Sequence, residues 1–400
     1  YTHLVSDHQH YWEDGGCTYH HRYSTWEYVR GQESDRWKGH VADPPRPARK
    51  SLGQIQRQDQ VNRQYMRTEE EMPQTQTFAL GLEFIERNRA EDNWFLQIET
   101  FDPHEPYYAA ERFRQLYPHS PDEPYFDWPR YGAVTDEERP YIDLLRYENA
   151  ALVSMCDHNL GKVLDAIDRH DMWKDTMLIV NTDHGFLLGE HDLWAKSRWP
   201  WYNEIAHTPL FIWDPRLGVS NEQRHALVQT IDLAPTLLDF FGVAIPPDMQ
   251  GKVLKETIRT DAQVREAALF GIFGGHVNCT DGRYVYMRAP VSQPSDELHE
   301  YTLMPTHMRS LFAPEELQDI QLAEPFSFTK NCRLMKIPCP NYRPTIGSMK
   351  TMLFDLQTDP KQEKPLQDAD IEQRMIALMM QLMKENDCPP EQFRRLGLEK

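Results

Sequence analysis

The sequence predicts an α/β protein in which helices cover both faces of a mostly parallel sheet, followed by a smaller C-terminal α+β subdomain with an antiparallel sheet. Three observations lead to this fold class. Segments with helical periodicity alternate with short strands, and those strands are almost entirely apolar, as in sheets that are covered on both faces. Beyond residue 262 the strands become shorter and turn signals more frequent. We therefore predict two domains, 1–262 and 263–400.

Each element of the first domain follows from its own residue pattern. Apolar residues that recur about every 3.6 positions predict helices, and short uninterrupted apolar runs predict strands. The last helix ends at Gly242, because glycine is a common stop signal. In chain order the predicted elements are a helix around 78–85, a strand over 94–98, a helix over 141–167, strands over 177–180 and 210–213, and a helix over 231–241.

The remaining segments differ in composition. Residues 31–76 are rich in Arg, Gln, Pro and Glu and poor in aliphatic residues, which predicts a long excursion over the surface. The second domain is predicted to contain short strands over 268–273, 283–288 and 352–356, a proline-rich irregular stretch over about 289–349, and an amphipathic helix over 371–383.

Composition and charge exclude several classes of function. The 400 residues include 43 Lys and Arg against 62 Asp and Glu, a net charge of −19, which repels nucleic acid and anionic lipid surfaces. An anionic substrate would therefore need a local positive site. The six cysteines include no CxxC pair, so neither a zinc ribbon nor a disulfide framework is predicted. The apolar stretches fall far short of the ~20 residues of a membrane-spanning helix, and no targeting segment is recognised.

Reactive side chains follow two of the predicted strands, at the ends where open α/β sheets bind ligands. Asp183 and His184 come directly after strand 177–180, and His104 lies between two prolines shortly after strand 94–98. If both strands share one parallel sheet, these side chains converge on one edge. Asp183 and His184 are candidate metal ligands, and Lys196 could neutralise an oxyanion held there. The alternatives are an ordinary turn at Asp183 and a surface-loop histidine at His104, and Glu105 is expected to be solvated.

These segments closely resemble the sulfatases of the alkaline-phosphatase-like superfamily. The most specific part is Asp183-His184-Gly185, followed by Leu188-Gly189-Glu190-His191, Lys196-Ser197 and His207-Thr208-Pro209. Supporting similarity runs in family order through 101–106, 231–238, 281–284 and 353–360, so the resemblance spans about residues 1 to 365. The Asp-His pair is similar to the branches that contain iduronate-2-sulfatase and phosphonate monoester hydrolase.

The resemblance implies roles for five residues. Asp183 and His184 would be metal ligands, Lys196 would bind the sulfate group, and His104 would lie near the leaving-group oxygen. An early histidine of the family corresponds best to His10, with His8 as the second choice. Asp7 stands where the family has a lysine, which is a departure from the pattern.

The nucleophile motif of the family is not found in this sequence. Sulfatases form a formylglycine from the first residue of Cys/Ser-x-Pro-x-Arg, and neither Cys17 nor the Cys339-Pro340 segment fits that pattern. In family order the motif precedes Ser6. We therefore expect that the chain lacks its first ~70–100 residues, by family spacing and domain size. The alternative is a natural relative without a nucleophile.

The expected function is hydrolysis of a sulfate ester, with one divalent metal ion and a formylglycine that would lie upstream. Calcium is the family's usual ion, and manganese or zinc remains open because His184 is a softer ligand than calcium prefers. The expected substrate is a small sulfated molecule, for example a sugar sulfate. Alternatives are a phosphonate monoester or phosphodiester hydrolase and a non-catalytic sulfatase-like binding protein. Compartment and oligomeric state stay undetermined.

Overall fold

The computed structural model describes residues 1–15, 18–197, 200–292, 295–339 and 349–399. The chain forms two compact units, each assembled from separated stretches. Unit 1 comprises Tyr1–Asp175, Leu188–Ala195 and Thr306–Leu311, and unit 2 comprises Thr176–Leu187, Lys196–Pro305 and Phe312–Lys400. The predicted domain boundary at residue 262 stays a prediction.

The described strands are, in chain order, β1 (Thr2–Ser6), β2 (Thr25–Tyr28), β3 (Phe95–Glu99), β4 (Gly132–Ala133), β5 (Leu178–Asn181), β6 (Leu187–Leu188), β7 (Leu193–Ala195), β8 (Leu210–Trp213), β9 (Ala268–Gly271), β10 (Val277–Thr280), β11 (Tyr284–Arg288), β12 (His299–Thr302), β13 (Gln321–Ala323), β14 (Leu334–Pro338) and β15 (Met352–Asp355). The described α-helices are α1 (Arg57–Asn62), α2 (Pro73–Asn88), α3 (Glu111–Arg114), α4 (Ile142–Arg169), α5 (Asn203–Ala206), α6 (Leu233–Phe240), α7 (Lys255–Thr260), α8 (Ala369–Glu385) and α9 (Pro390–Arg395).

Unit 1 contains a parallel sheet in the order β2-β1-β3. Its register pairs Ser6 of β1 with Glu99 of β3, so both strands end at the same edge. Helix α2 approaches β3 closely at Gly81, where an added Cβ atom would lie 2.4 Å from Cδ1 of Ile98. A side chain at this position would push the Ile98 side chain aside.

Helix α4 of unit 1 buries one apolar stripe along its whole length. Leu145, Leu152 and Met155 are fully buried, and Val163 and Ile167 continue the same stripe. The 3.6-residue period of these residues predicted the helix, and the burial of this face confirms it. Burial of each such side chain stabilises the fold by about 1.5–3 kcal/mol.

Two sheets of unit 2 correspond to segments that the sequence analysis discussed, the strand before Asp183 and the C-terminal antiparallel sheet. Strand β5 pairs antiparallel with β8, while β9, β10, β11 and β15 form an antiparallel sheet. Helix α8 buries Met375, Met379 and Met383 in the core on this sheet.

The predicted α/β class, with a parallel sheet and a C-terminal antiparallel sheet that carries a helix, is confirmed. The condition that strands 94–98 and 177–180 share one parallel sheet is not met, since β3 lies in the sheet β2-β1-β3 and β5 pairs antiparallel with β8.

Two other expectations need correction. The stretch 289–349, predicted to be irregular, contains a sheet in the order β12-β14-β13. The segment 31–76 is not simply a surface excursion, because it forms α1 and buries Asp59, Val61 and Asn62. In the described part of the chain, no helix is long and apolar enough to cross a membrane.

Candidate functional site

Buried carboxylates lie where β1 and β3 end. Asp7 follows β1 directly, and its Oδ1 accepts a 2.6 Å hydrogen bond from the backbone N–H of Phe101, while Oδ2 accepts one of 2.9 Å from Gln32 Nε2. Loss of hydration on burial is the largest influence and raises the pKa of Asp7 to about 6, although both hydrogen bonds oppose the shift. Burial, with the nearby charge of Asp7, also raises the pKa of Asp102.

The ring of Phe101 brings two of the predicted site residues of unit 1 together. Its centroid lies 4.2 Å from that of His104 and 5.8 Å from that of His10. His8 also lies near this ring, at 5.5 Å between centroids. His10 and His104 therefore occupy one cluster at the carboxyl-end edge of the parallel sheet.

His10 is held by acidic neighbours but remains hard to protonate. Its Nδ1 lies 3.0 Å from Oε2 of Glu13, and its Nε2 lies 3.8 Å from Oε2 of Glu33. Burial is the largest influence on its pKa, followed by the positive charge of Arg309, and together they lower it to about 4 against the effect of Glu13. At neutral pH His10 is therefore a neutral imidazole, which suits hydrogen bonding better than proton donation.

His104 is partly buried and fixed by its neighbour in sequence. Its Nδ1 lies 2.5 Å from the backbone oxygen of Glu105 and 3.4 Å from the Oε2 atom of the same residue. The peptide bonds Asp102-Pro103 and Glu105-Pro106 are both cis. The expectation that Glu105 is solvated is wrong: only 1% of the residue is exposed, and its carboxylate accepts a hydrogen bond from the hydroxyl of Tyr131.

Asp183 and His184 of unit 2 present two donor atoms at one place. Nε2 of His184 lies 3.2 Å from Oδ2 of Asp183, and Oδ1 of Asp183 accepts the backbone N–H of His184. Nδ1 of His184 lies 2.9 Å from the backbone oxygen of Gly185. Because that carbonyl can only accept, Nδ1–H donates to it, and Nε2 is the ring nitrogen that faces Asp183.

Glycine is required after this pair. An added Cβ atom at Gly185 would lie 1.9 Å from the backbone oxygen of Glu204, and the Gly185 N–H donates to the backbone oxygen of Ile205. The loop after β5 therefore packs directly against the backbone of α5. Gly185 is therefore needed for the packing of this loop, whatever chemistry Asp183 and His184 perform.

Lys196 lies in a constrained segment of the chain. It is 8% exposed, and its Nζ lies 5.8 Å from the ring centroid of Phe186. Its neighbours Ala195 and Ser197 have φ angles of 78° and 64°, values that non-glycine residues rarely adopt. Such conformations persist where the surrounding structure fixes them, often at functional sites.

The donors present fit a metal ion only in part. A distance of 3.2 Å between Nε2 and Oδ2 suits two neighbouring ligands of one ion at roughly 2.0–2.6 Å each. Asp183 is exposed, with 80% of its side chain accessible. Among the described residues, however, no group of three or more His, Cys, Asp or Glu side chains is arranged to hold a metal ion. Asp183 and His184 thus present two donor atoms, fewer than a metal site needs.

Sequence reasoning missed several residues that shape these groups. Phe101 carried a motif signal but no predicted role, although its ring contacts both predicted histidines. Glu190 of the Leu-Gly-Glu-His motif accepts hydrogen bonds from the Leu188 N–H and from Arg146, so it shapes this turn. Cys17 and residues 340–343, the segments compared with the nucleophile motif, lie outside the described residues.

The sequence matches the sulfatase family over residues 10–243 and the C-terminal region of N-sulphoglucosamine sulphohydrolase over residues 189–323. The N-acetylglucosamine-6-O-sulfatase of Bacteroides thetaiotaomicron is 35% identical over 124 residues, which cover 30% of this chain and 22% of that protein. The matched part is less than half of each of the first three curated relatives.

Two solved structures show the same fold at low sequence identity. One is a protein in complex with its substrate D-glucosamine-2-N,6-O-disulfate, with a TM-score of 0.54, 16% identity, and coverage of 80% of this chain and 71% of the other. The second is the phosphonate monoester hydrolase of Agrobacterium radiobacter, with a TM-score of 0.53, 17% identity, and coverage of 79% and 61%. Since the sulfatase match spans more than half of the 400 residues, the chain belongs to the sulfatase family.

Proposed function

We propose that the protein containing this chain hydrolyses sulfate esters, and that Asp183 and His184 contribute two ligands to its metal ion. The 3.2 Å distance between their donor atoms, within a motif of the sulfatase family, is the observation that carries the proposal. When bound, the ion would supply positive charge to the oxygens of the sulfate group. Calcium is the first candidate, and the imidazole ligand keeps manganese and zinc in consideration.

Lys196 is proposed to bind the sulfate group. Its ammonium group is largely removed from water, so an anion beside it would be attracted more strongly than at an open surface. The overall charge of −19 repels anions, and a buried lysine offsets that repulsion locally. The left-handed conformations of Ala195 and Ser197 support a fixed backbone on both sides of this side chain.

The two histidines of unit 1 are proposed to serve the ester oxygen. His104 would give a proton or a hydrogen bond to the departing alcohol, which lowers the cost of breaking the S–O bond. His10, with its pKa lowered to about 4, would stay neutral and orient the substrate by hydrogen bonding. Phe101 packs against both rings and supports this arrangement.

The substrate is proposed to be a sulfated sugar. A curated relative acts on N-acetylglucosamine 6-O-sulfate groups by its name, and a protein of the same fold was solved with a glucosamine disulfate. Two aromatic residues that follow His10 in the sequence are compatible with a sugar ring: the rings of Tyr11 and Trp12 contact each other, and Trp12 is 42% exposed.

The test is steady-state hydrolysis by the complete natural protein, loaded with calcium, manganese or zinc in turn. Nitrophenyl sulfate, glucosamine 6-sulfate and a phenylphosphonate ester are compared at equal concentrations. Faster turnover of a sulfate ester supports the proposal. Faster turnover of the phosphonate ester would assign the protein to the phosphonate monoester hydrolases instead, and saturable sulfate-ester binding without turnover would identify a non-catalytic binding protein.

A further inference from the structure

A third histidine lies beside Phe101. The ring centroid of His8 lies 5.5 Å from that of Phe101 and 5.1 Å from that of His10. The backbone N–H of His8 donates a 3.0 Å hydrogen bond to Oγ of Ser6, the last residue of β1. His8 is therefore fixed at the carboxyl-end edge of the parallel sheet, where open α/β sheets bind ligands.

Glu99 holds the ring of His8 from the neighbouring strand. It is the last residue of β3 and pairs in register with Ser6 of β1. Its Oε1 lies 3.3 Å from Nδ1 of His8, and the hydroxyl of Tyr11 donates to both of its carboxylate oxygens at 3.0 Å. Because an ionised carboxylate can only accept, Nδ1–H of His8 is the donor in this contact.

Nε2 of His8 is the ring nitrogen that remains for a ligand. Within the ranges that the structure describes, this atom has no hydrogen-bond or ionic partner. The ring is also the more accessible of two neighbours, since 31% of the His8 side chain is exposed against 15% for His10. A ligand at this edge of the sheet can therefore reach Nε2 of His8 without displacing a protein contact.

His10 does not compete with His8 for a positive charge. Burial, followed by the charge of Arg309, lowers the pKa of His10 to about 4, and His8 acts in the same direction. Two imidazolium rings this close would repel each other, so one positive charge is favoured in the pair. The glutamate beside His10, Glu13, is also bound by Arg309, whereas His8 has Glu99. The arrangement therefore favours a positive charge on His8 over one on His10.

Three further groups surround His8. The ring of Tyr11 lies 5.0 Å from it between centroids, and burial raises the pKa of Tyr11, so this phenol stays neutral. Phe101 is uncharged. Asp7, the preceding residue, has its pKa raised to about 6 by burial, so it adds a negative charge only as the pH rises past that value. Among the described residues, the acid within ion-pair distance of the His8 ring is Glu99.

We propose that His8 is a further substrate-contacting residue whose Nε2–H donates to an oxygen of the sulfate group, and that Glu99 and Tyr11 are positioning residues that hold its ring. This inference rests on the proposed function and adds a donor to it. An imidazolium that donates to an anion makes a charge-assisted hydrogen bond, which is stronger than a neutral one. In a chain with a net charge of −19, it also supplies some of the local positive charge that an anionic substrate needs.

The test uses inorganic sulfate as the probe and the complete natural protein. Titration calorimetry measures sulfate binding from pH 5 to 9, with chloride at matched ionic strength as the reference, for the wild type and for His8→Gln. Glutamine retains a polar side chain but cannot be protonated. We expect sulfate binding by His8→Gln at pH 6 to be at least about tenfold weaker, since a charge-assisted hydrogen bond is lost. The wild-type affinity should fall as the pH rises, and that of His8→Gln should depend less on pH.

Glu99→Gln tests the positioning role, because it removes the charge and keeps the size of the side chain. In this variant His8 loses its proton more readily, so the fall in sulfate affinity should begin at a lower pH than in the wild type. Tyr11→Phe keeps the carboxylate charge and should shift that pH less. A loss that is equal at every pH would mean a purely structural role and would overturn the positioning role of Glu99.

Two matched variants serve as controls. His225→Ala changes an exposed histidine of unit 2, and Glu27→Gln changes a glutamate of β2 whose side chain is 49% exposed. Both should bind sulfate like the wild type at every pH. NMR adds a measurement that needs no variant: sulfate should shift the ring signals of His8 saturably and leave those of His225 in place.

Two results would overturn the contact itself. One is a sulfate affinity of His8→Gln at pH 6 within about twofold of the wild type. The other is a set of His8 ring signals that do not respond to sulfate. The proposed function fails separately, if the wild type hydrolyses no sulfate ester. Sulfate binding that depends on His8 would still support the contact in that case, as in a sulfate-binding protein.

Discussion

The backbone N–H of Phe101 donates a 2.6 Å hydrogen bond to Oδ1 of Asp7. This bond joins the loops that follow β1 and β3, so the end of one strand positions the aromatic ring at the end of the other. Asp7 stands at the position where the family resemblance leads one to expect a lysine. In this chain a buried acid therefore performs a structural task where a basic residue was expected.

Asp7 should make the stability of the protein depend on pH. Burial raises its pKa to about 6, whereas an aspartate of the unfolded chain has a pKa of about 3.9. The contribution of protonated Asp7 to the free energy of unfolding is therefore complete below about pH 4, and it is lost as the pH rises through about 6. We expect the unfolding free energy to fall by up to about 3 kcal/mol between pH 4 and 8 from this group alone.

The measurement is urea unfolding of the wild type and of Asp7→Asn across that pH range. Asparagine does not ionise, so the stability of the variant relative to the wild type should increase as the pH rises. Asp143→Asn changes an exposed aspartate of α4 and serves as the control. A constant difference between Asp7→Asn and wild type at all pH values would contradict the buried, hard-to-ionise state of Asp7.

Asp183 and His184 should be needed for metal binding. We expect Asp183→Asn and His184→Ala each to weaken binding of calcium or manganese at least about tenfold, because each removes or weakens one of two adjacent donors. Titration calorimetry on the complete protein measures this directly. Asp192→Asn, which changes another exposed acid of the same motif region, should bind metal like the wild type. Unchanged metal content in Asp183→Asn would remove Asp183 from the ligand set.

Lys196→Ala should cost on the order of 10²-fold or more in turnover, the usual effect of losing one group that stabilises a developing anion. Sulfate-ester hydrolysis by the complete protein measures the effect. Lys174→Ala is the matched comparison, since that side chain is 63% exposed and pairs with Asp171 at the surface. A change within twofold for Lys196→Ala would argue against sulfate binding by this lysine.

Gly185→Ala and Gly161→Ala should have opposite effects on stability. At Gly185 the new methyl group would meet the backbone oxygen of Glu204 at 1.9 Å, so the loop must move at a cost of about 1–3 kcal/mol or more. At Gly161, within α4, an added Cβ atom meets nothing within 4 Å, and alanine should stabilise the helix by about 1 kcal/mol. Urea midpoints of the two variants give the comparison, and equal shifts would contradict the close packing at Gly185.

Helices and strand positions were predictable because one-dimensional patterns encode them. The stripe that includes Leu145, Leu152 and Met155 repeats with the helical period. Its burial could therefore be predicted without knowing which element the helix packs against. Strand direction is different. An apolar run such as 177–180 looks the same in sequence whether its neighbour is parallel or antiparallel, which is why the pairing of β5 with β8 was not anticipated.

The candidate site was predictable only where its residues are close in sequence. Asp183 and His184 are adjacent, and their donor atoms meet within one dipeptide. Glu105 is buried and accepts a hydrogen bond from Tyr131, which is 26 positions away, and its sequence neighbours give no sign of that contact. The sheet of β12, β13 and β14 was missed because its strands are short and lie among prolines.

Arg309 pairs with Glu13, although the two residues are 296 positions apart in sequence. The segment Thr306–Leu311, which contains this arginine, belongs to unit 1. During synthesis on the ribosome, most of the 400 residues must emerge before this arginine reaches its partner. The environment of His10 is therefore completed late, after β1 has been available for pairing for a long time. No cut at a single point of the chain would release either unit as one continuous piece, so expressing residues 1–175 alone would leave His10 without the charge that helps to keep it neutral.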